Sequence, residues 1–128
     1  MLASSDLDPD LLSFIEGAIP SVWALELLIL IRSEPRQAWS ADALVADLRA
    51  SGQLVADILA SFETSGLVLR REDRFEYAPA SPTLDQLCHD LQAAYRQRPV
   101  KIVNAITARR SDQLTGFAES FRFKGWRP

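Results

Sequence analysis

Residues 40–77 read SADALVADLRASGQLVADILASFETSGLVLRREDRFEY. Ser40 has the side chain of an N-cap, whose oxygen accepts from a free N–H of the first helical turn. Leu44, Val45 and Leu48 then share one face and predict a helix over 41–49. Ser51-Gly52 interrupts it with turn chemistry. Leu54, Val55, Ile58, Leu59 and Phe62 recur at helical spacing and predict a second helix over 53–64. Gly66 supplies a left-handed stop. Leu67-Val68-Leu69 predicts a short strand, Arg71-Glu72-Asp73-Arg74 a polar turn, and Phe75 to Tyr77 the returning strand. Phe75 and Tyr77 alternate with Glu76, as a strand with one buried face requires.

Upstream, Pro9-Asp10 followed by Leu11, Leu12, Phe14 and Ile15 predicts a short helix that stops near Gly17. Pro20 suits the first turn of the next helix, which runs to about Ser33, ahead of Pro35. Val22, Trp23, Leu25 and the run Leu27 to Ile31 leave almost no polar face. Such a helix is covered on several sides, by the core or by a second subunit, and the second option points to a homodimer. Trp23 is expected in the core. Trp39, just before the Ser40 cap, is expected to pack as a hydrophobic staple. Downstream of Pro82, Leu84, Leu87, Cys88, Leu91, Ala94 and Tyr95 form a helical stripe. Pro99 ends or kinks that helix, and Val100, Ile102, Val103 and Ile106 continue an apolar pattern to about Arg110. Ser111 and Asp112 cap a last helix carrying Leu114, Phe117, Ala118 and Phe121.

Helix, turn, helix and hairpin in that order is the layout of a winged helix-turn-helix. Ser51, Val55, Leu59, Phe62-Glu63, Gly66-Leu67-Val68 and Arg70-Arg71 resemble the second-helix and hairpin pattern of winged-helix transcription regulators, including MarR-like ones. The resemblance covers 38 residues. The stretch from Tyr95 to Lys124 also resembles that of a group of small bacterial winged-helix proteins. The expected fold is therefore mainly α with a small β-hairpin wing, a winged helix-turn-helix plus C-terminal helices. One domain is expected over 1–128: an N-terminal arm and helix at 1–19, a winged-helix core at 20–80, and a helical extension at 81–128 suited to dimerisation.

Composition sets the class. The chain has 128 residues, 48% of them hydrophobic and 24% charged, close to the averages for globular domains. A disordered chain, a fibrous repeat and a disulfide-built mini-protein are excluded. One cysteine, Cys88, cannot form an internal disulfide, which fits a cytoplasmic location. Glu26 interrupts the most apolar run, Val22 to Ile31, which falls short of the roughly 20 apolar residues of a membrane span. Met1 to Asp10 carries three aspartates and no basic residue, the reverse of a secretory leader.

Charge is unevenly distributed. Residues 1–63 hold ten acidic and three basic side chains, and residues 64–128 hold seven acidic and eleven basic. Within 96–128 the count is eight basic to two acidic. Such asymmetry either offers a basic face to an anionic partner or lets the two halves attract each other.

The resemblance implies duplex DNA as partner, read by the N-terminal side chains of the second helix in the major groove. Those positions are Gly52, Gln53, Ala56, Asp57 and Ala60. Gln53 has the amide for a bidentate contact to adenine, and Ser51 is placed to reach a phosphate. Ala56 and Asp57 depart from the basic or hydroxyl-bearing residues that many such regulators have there; Asp57 repels phosphates, though its carboxylate can accept from a cytosine amino group. Arg70, Arg71 and Arg74 in the hairpin either contact phosphates or pair locally with Glu72, Asp73 and Glu76. Arg96, Arg98, Lys101, Arg109 and Arg110 either extend a phosphate-binding surface or cover the acidic half. A pI of about 5.1 falls below the usual nucleic-acid footprint.

No catalytic pattern emerges. Cys88-His89-Asp90 has nucleophile-site residue types, but consecutive helical residues point in different directions. Cys88 belongs to the apolar stripe. A single histidine excludes a multi-histidine metal site. Asp6, Asp8 and Asp10 imitate the opening of a calcium loop, but Leu11 stands at the glycine position and Gly17 at that of the bidentate glutamate. No enzyme activity, cofactor or metal is expected. Phe121, Phe123, Lys124 and Trp126 have the aromatic and basic composition that interfaces favour, and are expected either to bind a partner or to tuck into the fold. Two readings follow: a dimeric DNA-binding regulator, or a protein-interaction module on the same fold.

Overall fold

The computed structural model describes residues 7–108. Helix α1 spans Pro9–Ala18, α2 Val22–Ser33, α3 Ala41–Leu48, α4 Gly52–Ser65 and α5 Pro82–Gln97. A further helix, α6, covers 99–108. Strands β1 (Trp39–Ser40), β2 (Val68–Arg71) and β3 (Arg74–Tyr77) complete a mainly helical chain with one small antiparallel sheet.

Serines set four of the helix starts. Ser21, Ser40, Ser51 and Ser81 each accept, through the side-chain oxygen, from the backbone N–H three residues on, all at 3.1 Å. Pro20 therefore lies before the α2 cap rather than in its first turn. Gly17 lies inside α1, which runs one residue further. The α3–α4 connection differs from the sequence expectation. Arg49 takes the left-handed conformation that ends α3, whereas Ser51 caps α4 and Gly52 is its first residue. Gly66 (φ +79°) ends α4 as expected.

The sheet has three strands, where the sequence suggested a hairpin of two. Its order is β1-β3-β2, with Trp39 opposite Phe75 and Ser40 opposite Arg74. Two residues carry no readable period, so β1 is visible only through its partner. Glu72 and Asp73 close the β2–β3 hairpin, with Arg71 opposite Arg74.

One contiguous core joins all helices. Leu25, Leu27, Leu28 and Ile31 of α2 meet Leu44, Leu59 and Phe62, together with Ile15, Leu91, Ile102 and Ile106, all at most 2% exposed. The described part of 81–128 therefore belongs to the same core as the rest. Of α2, Ala24, Leu25, Leu27, Leu28 and Ile31 are buried within the chain, whereas Val22, Ile29 and Leu30 are half-buried. Arg98 separates α5 from α6 with non-helical angles. The residue before a proline is sterically kept from the helical region, and Pro99 then opens the next helix. Among the described residues, no single helix is long and apolar enough to cross a membrane. The helix expected over 111–121 lies outside the described residues.

Candidate interaction site

α4 buries Val55, Ile58, Leu59 and Phe62 and exposes Gly52, Gln53, Ala56, Asp57, Ala60 and Glu63. With Thr64, which is also exposed, the set holds three small residues (Gly52, Ala56 and Ala60), two carboxylates and no cation. Across 41–65 the carboxylates are Asp42, Asp47, Asp57 and Glu63, all exposed, against the single cation Arg49.

The residues expected to read DNA are occupied within the chain. Gln53 donates through Nε2 to Oδ1 of Asp57 at 2.8 Å. Ser51 accepts from the Leu54 N–H, so its oxygen caps α4. In the hairpin, Arg70 donates through Nε to the Glu72 carbonyl at 3.1 Å and lies 5.7 Å from the centroid of the Phe75 ring. Arg71 forms an ion pair with Glu76 at 3.3 Å, and Arg74 donates to the Ala38 carbonyl at 3.4 Å. All three arginines remain exposed. The hairpin thus splits the three predicted arginines between its two faces, Arg70 with Phe75 on one, and Arg71 and Arg74 with Glu76 on the other. Phe121, Phe123, Lys124 and Trp126 lie outside the described residues, as do Arg109 and Arg110.

Two grooves flank α4. A narrower one, about 280 Å³, runs between α4 and the hairpin, lined by Ala56, Ala60, Arg70 and Phe75, with Glu63 and Asp73 on its walls. The wider one, about 580 Å³, lies between the start of α2 and α4. Pro20, Ser21, Trp23, Leu54, Asp57, Ile58 and Ser61 line it. Trp23 corrects the sequence expectation of a core residue: it is 42% exposed. It occupies the second position of α2, where the helix has only begun to enter the core. The signal lay in Pro20-Ser21, which places the indole in the first turn, but an all-apolar helix does not show which residue looks outward.

Trp39 is buried at 8% exposure and directly precedes the α3 cap, with Leu44 fully buried four residues into that helix. This agrees with the staple position. Cys88 is 1% exposed and burial pushes its thiol pKa up, while neighbouring His89 is exposed. A buried protonated thiol is a poor nucleophile. Asp8 caps α1, accepting from the Asp10 N–H at 3.3 Å.

Sequence reading also missed a polar seam across α2, β3 and α5. Arg32 donates to Oε1 of Gln92 and lies 5.3 Å from the centroid of the Tyr77 ring. Tyr77 donates to Asp85 at 2.7 Å, and Tyr95 donates to Glu26 at 2.8 Å. These partners stand far apart in the chain and share no motif. Comparison with protein-family models, with curated proteins and with solved structures finds no match to this chain.

Proposed function

We propose that this chain is a winged-helix regulatory module that works by binding another protein, with the exposed face of α4 and its wider groove as the contact surface. The order α3, α4, β2, β3, with β1 completing the sheet, supports the winged-helix reading. The observation that carries the protein-binding reading is the α4 face itself, with two carboxylates, three small residues and no cation. Duplex DNA presents one negative charge per about 1.7 Å of axis, so a helix entering the major groove needs cations beside it. Here Asp57 stands at the reading end. A partner that fits has apolar side chains to meet Trp23 and Leu54, and a cation to meet Asp57.

The second reading, DNA binding through the hairpin, rests on the three exposed arginines. Arg70 and Arg74 donate to backbone carbonyls in the contacts described above, and these bonds leave their charge un-neutralised.

Fluorescence anisotropy with generic duplex DNA at two salt concentrations separates the two. The protein-binding reading expects no salt-dependent association at micromolar protein. Affinity that falls steeply with salt would overturn it, since that slope counts phosphates neutralised. In that case Arg70→Ala with Arg71→Ala weakens binding to all sequences, and Gln53→Ala changes sequence preference. On the protein-binding reading, Asp57→Lys removes specific partners from an affinity capture that the parent protein retains.

A further inference from the structure

The wider groove combines an exposed indole, the apolar side chains of Leu54 and Ile58, and one carboxylate, with no cation in its lining. The same chain contains a segment of complementary chemistry outside the described residues: Phe121-Arg122-Phe123-Lys124-Gly125-Trp126. Aromatic side chains alternate there with cations. An indole face attracts a guanidinium or ammonium group, and a carboxylate beside it adds to that attraction.

Charge favours the pairing more widely. The α3–α4 region exposes four carboxylates to one cation, whereas 109–128 holds five cations and two carboxylates. Length permits it. With the helix expected over 111–121 kept, the eighteen residues 109–126 still reach about 40 Å, against a radius of gyration of about 13 Å for a fold of roughly 100 residues. Attachment to the same chain places the segment near its site at millimolar effective concentration, so weak intrinsic affinity suffices.

We infer that the segment 121–126 seats its aromatic and basic side chains in the Trp23–Asp57 groove of its own chain. This rests on the reading of the α4 face as a peptide-binding surface, and gives that surface an internal occupant. A partner then competes with the segment for the groove, and the unoccupied state is not the resting one.

The test is disulfide trapping in the full-length chain. Ser61→Cys on the groove is combined in turn with Glu119→Cys, Lys124→Cys and Gly125→Cys. Exposed His89→Cys on α5 replaces Ser61→Cys as the reference for random encounter. Cys88 is 1% exposed and serves as an unreactive background, checked with each single variant. Ring closure within one chain is read as a faster-migrating monomer on a non-reducing gel. The expected result is closure at Ser61→Cys at least about tenfold faster than at His89→Cys for one or more of the three positions. Asp57→Lys or high salt should slow it several-fold. Equal rates at the two sites, no closure from any position, or links only between chains would overturn the inference. The assay contains neither DNA nor a partner protein, so its outcome is independent of the anisotropy result.

Discussion

Arg49 and Glu72 both hold φ at +57° without being glycine. Each stands where the chain must reverse, Arg49 behind α3 and Glu72 at the hairpin tip. A side chain in this conformation costs roughly 1–2 kcal/mol, while glycine costs about 0.5–1 kcal/mol in lost chain entropy. Arg49→Gly is therefore expected to raise stability by up to about 1 kcal/mol, read as a higher urea midpoint at unchanged slope. Gly66 gives the opposite sign. Its φ is +79°, and an added Cβ would sit 3.0 Å from the Cβ of Ala80. Gly66→Ala should lower stability by about 1–3 kcal/mol. These residues show what the sequence reveals at this scale. Gly66 announces a left-handed stop because glycine is the default residue there. Arg49 carries no such mark, and turn chemistry points two residues too far on, to Ser51-Gly52.

At the scale of elements, the start of α4 separates a structural role from a binding one. Ser51 satisfies the Leu54 N–H, one of the donors that every helix leaves unpaired at its start. Ser51→Ala should cost about 1 kcal/mol of stability. Capture of a protein partner at temperatures where the fold is intact should not change. A loss of binding larger than the loss of folded protein would assign Ser51 to the contact surface instead. α3 and α4 were legible to within a residue or two because serine caps, the apolar period and Gly66 all agree. β1 was not, since Trp39-Ser40 is defined by pairing with Phe75, 36 positions away from Trp39. The wide groove was illegible for the same physical reason. It is formed by the first turn of α2 against the middle of α4, and neither segment alone signals a cavity.

On the scale of the molecule, α5 is tied back to α2 and β3 through tyrosines whose hydroxyls serve as donors. Tyr77 is held protonated first by burial and then by its bond to Asp85, with Arg32 acting in the opposite direction, and its pKa rises well above the ordinary 10.0. Tyr95 is raised chiefly by its bond to Glu26, and Cys88 by burial. All three shifts share one sign. Above the ordinary pKa values of 9.0 for the thiol and 10.0 for the phenols, the unfolded chain releases protons that the folded chain retains. The unfolded state then binds fewer protons, so stability falls as pH rises. The contribution is complete below about pH 8 and is lost progressively through the alkaline range until the folded groups also ionise. Urea midpoints at about pH 8 and about pH 10.5 should show this decline, and Tyr77→Phe or Tyr95→Phe should make it shallower. A slope unchanged by both substitutions would mean that the seam does not govern the alkaline response. If the seam governs it, loosening at high pH begins between α5 and α2, on contacts that do not include the lining of the Trp23 groove. Segment trapping at Ser61→Cys and alkaline loosening then report on two separate parts of the fold.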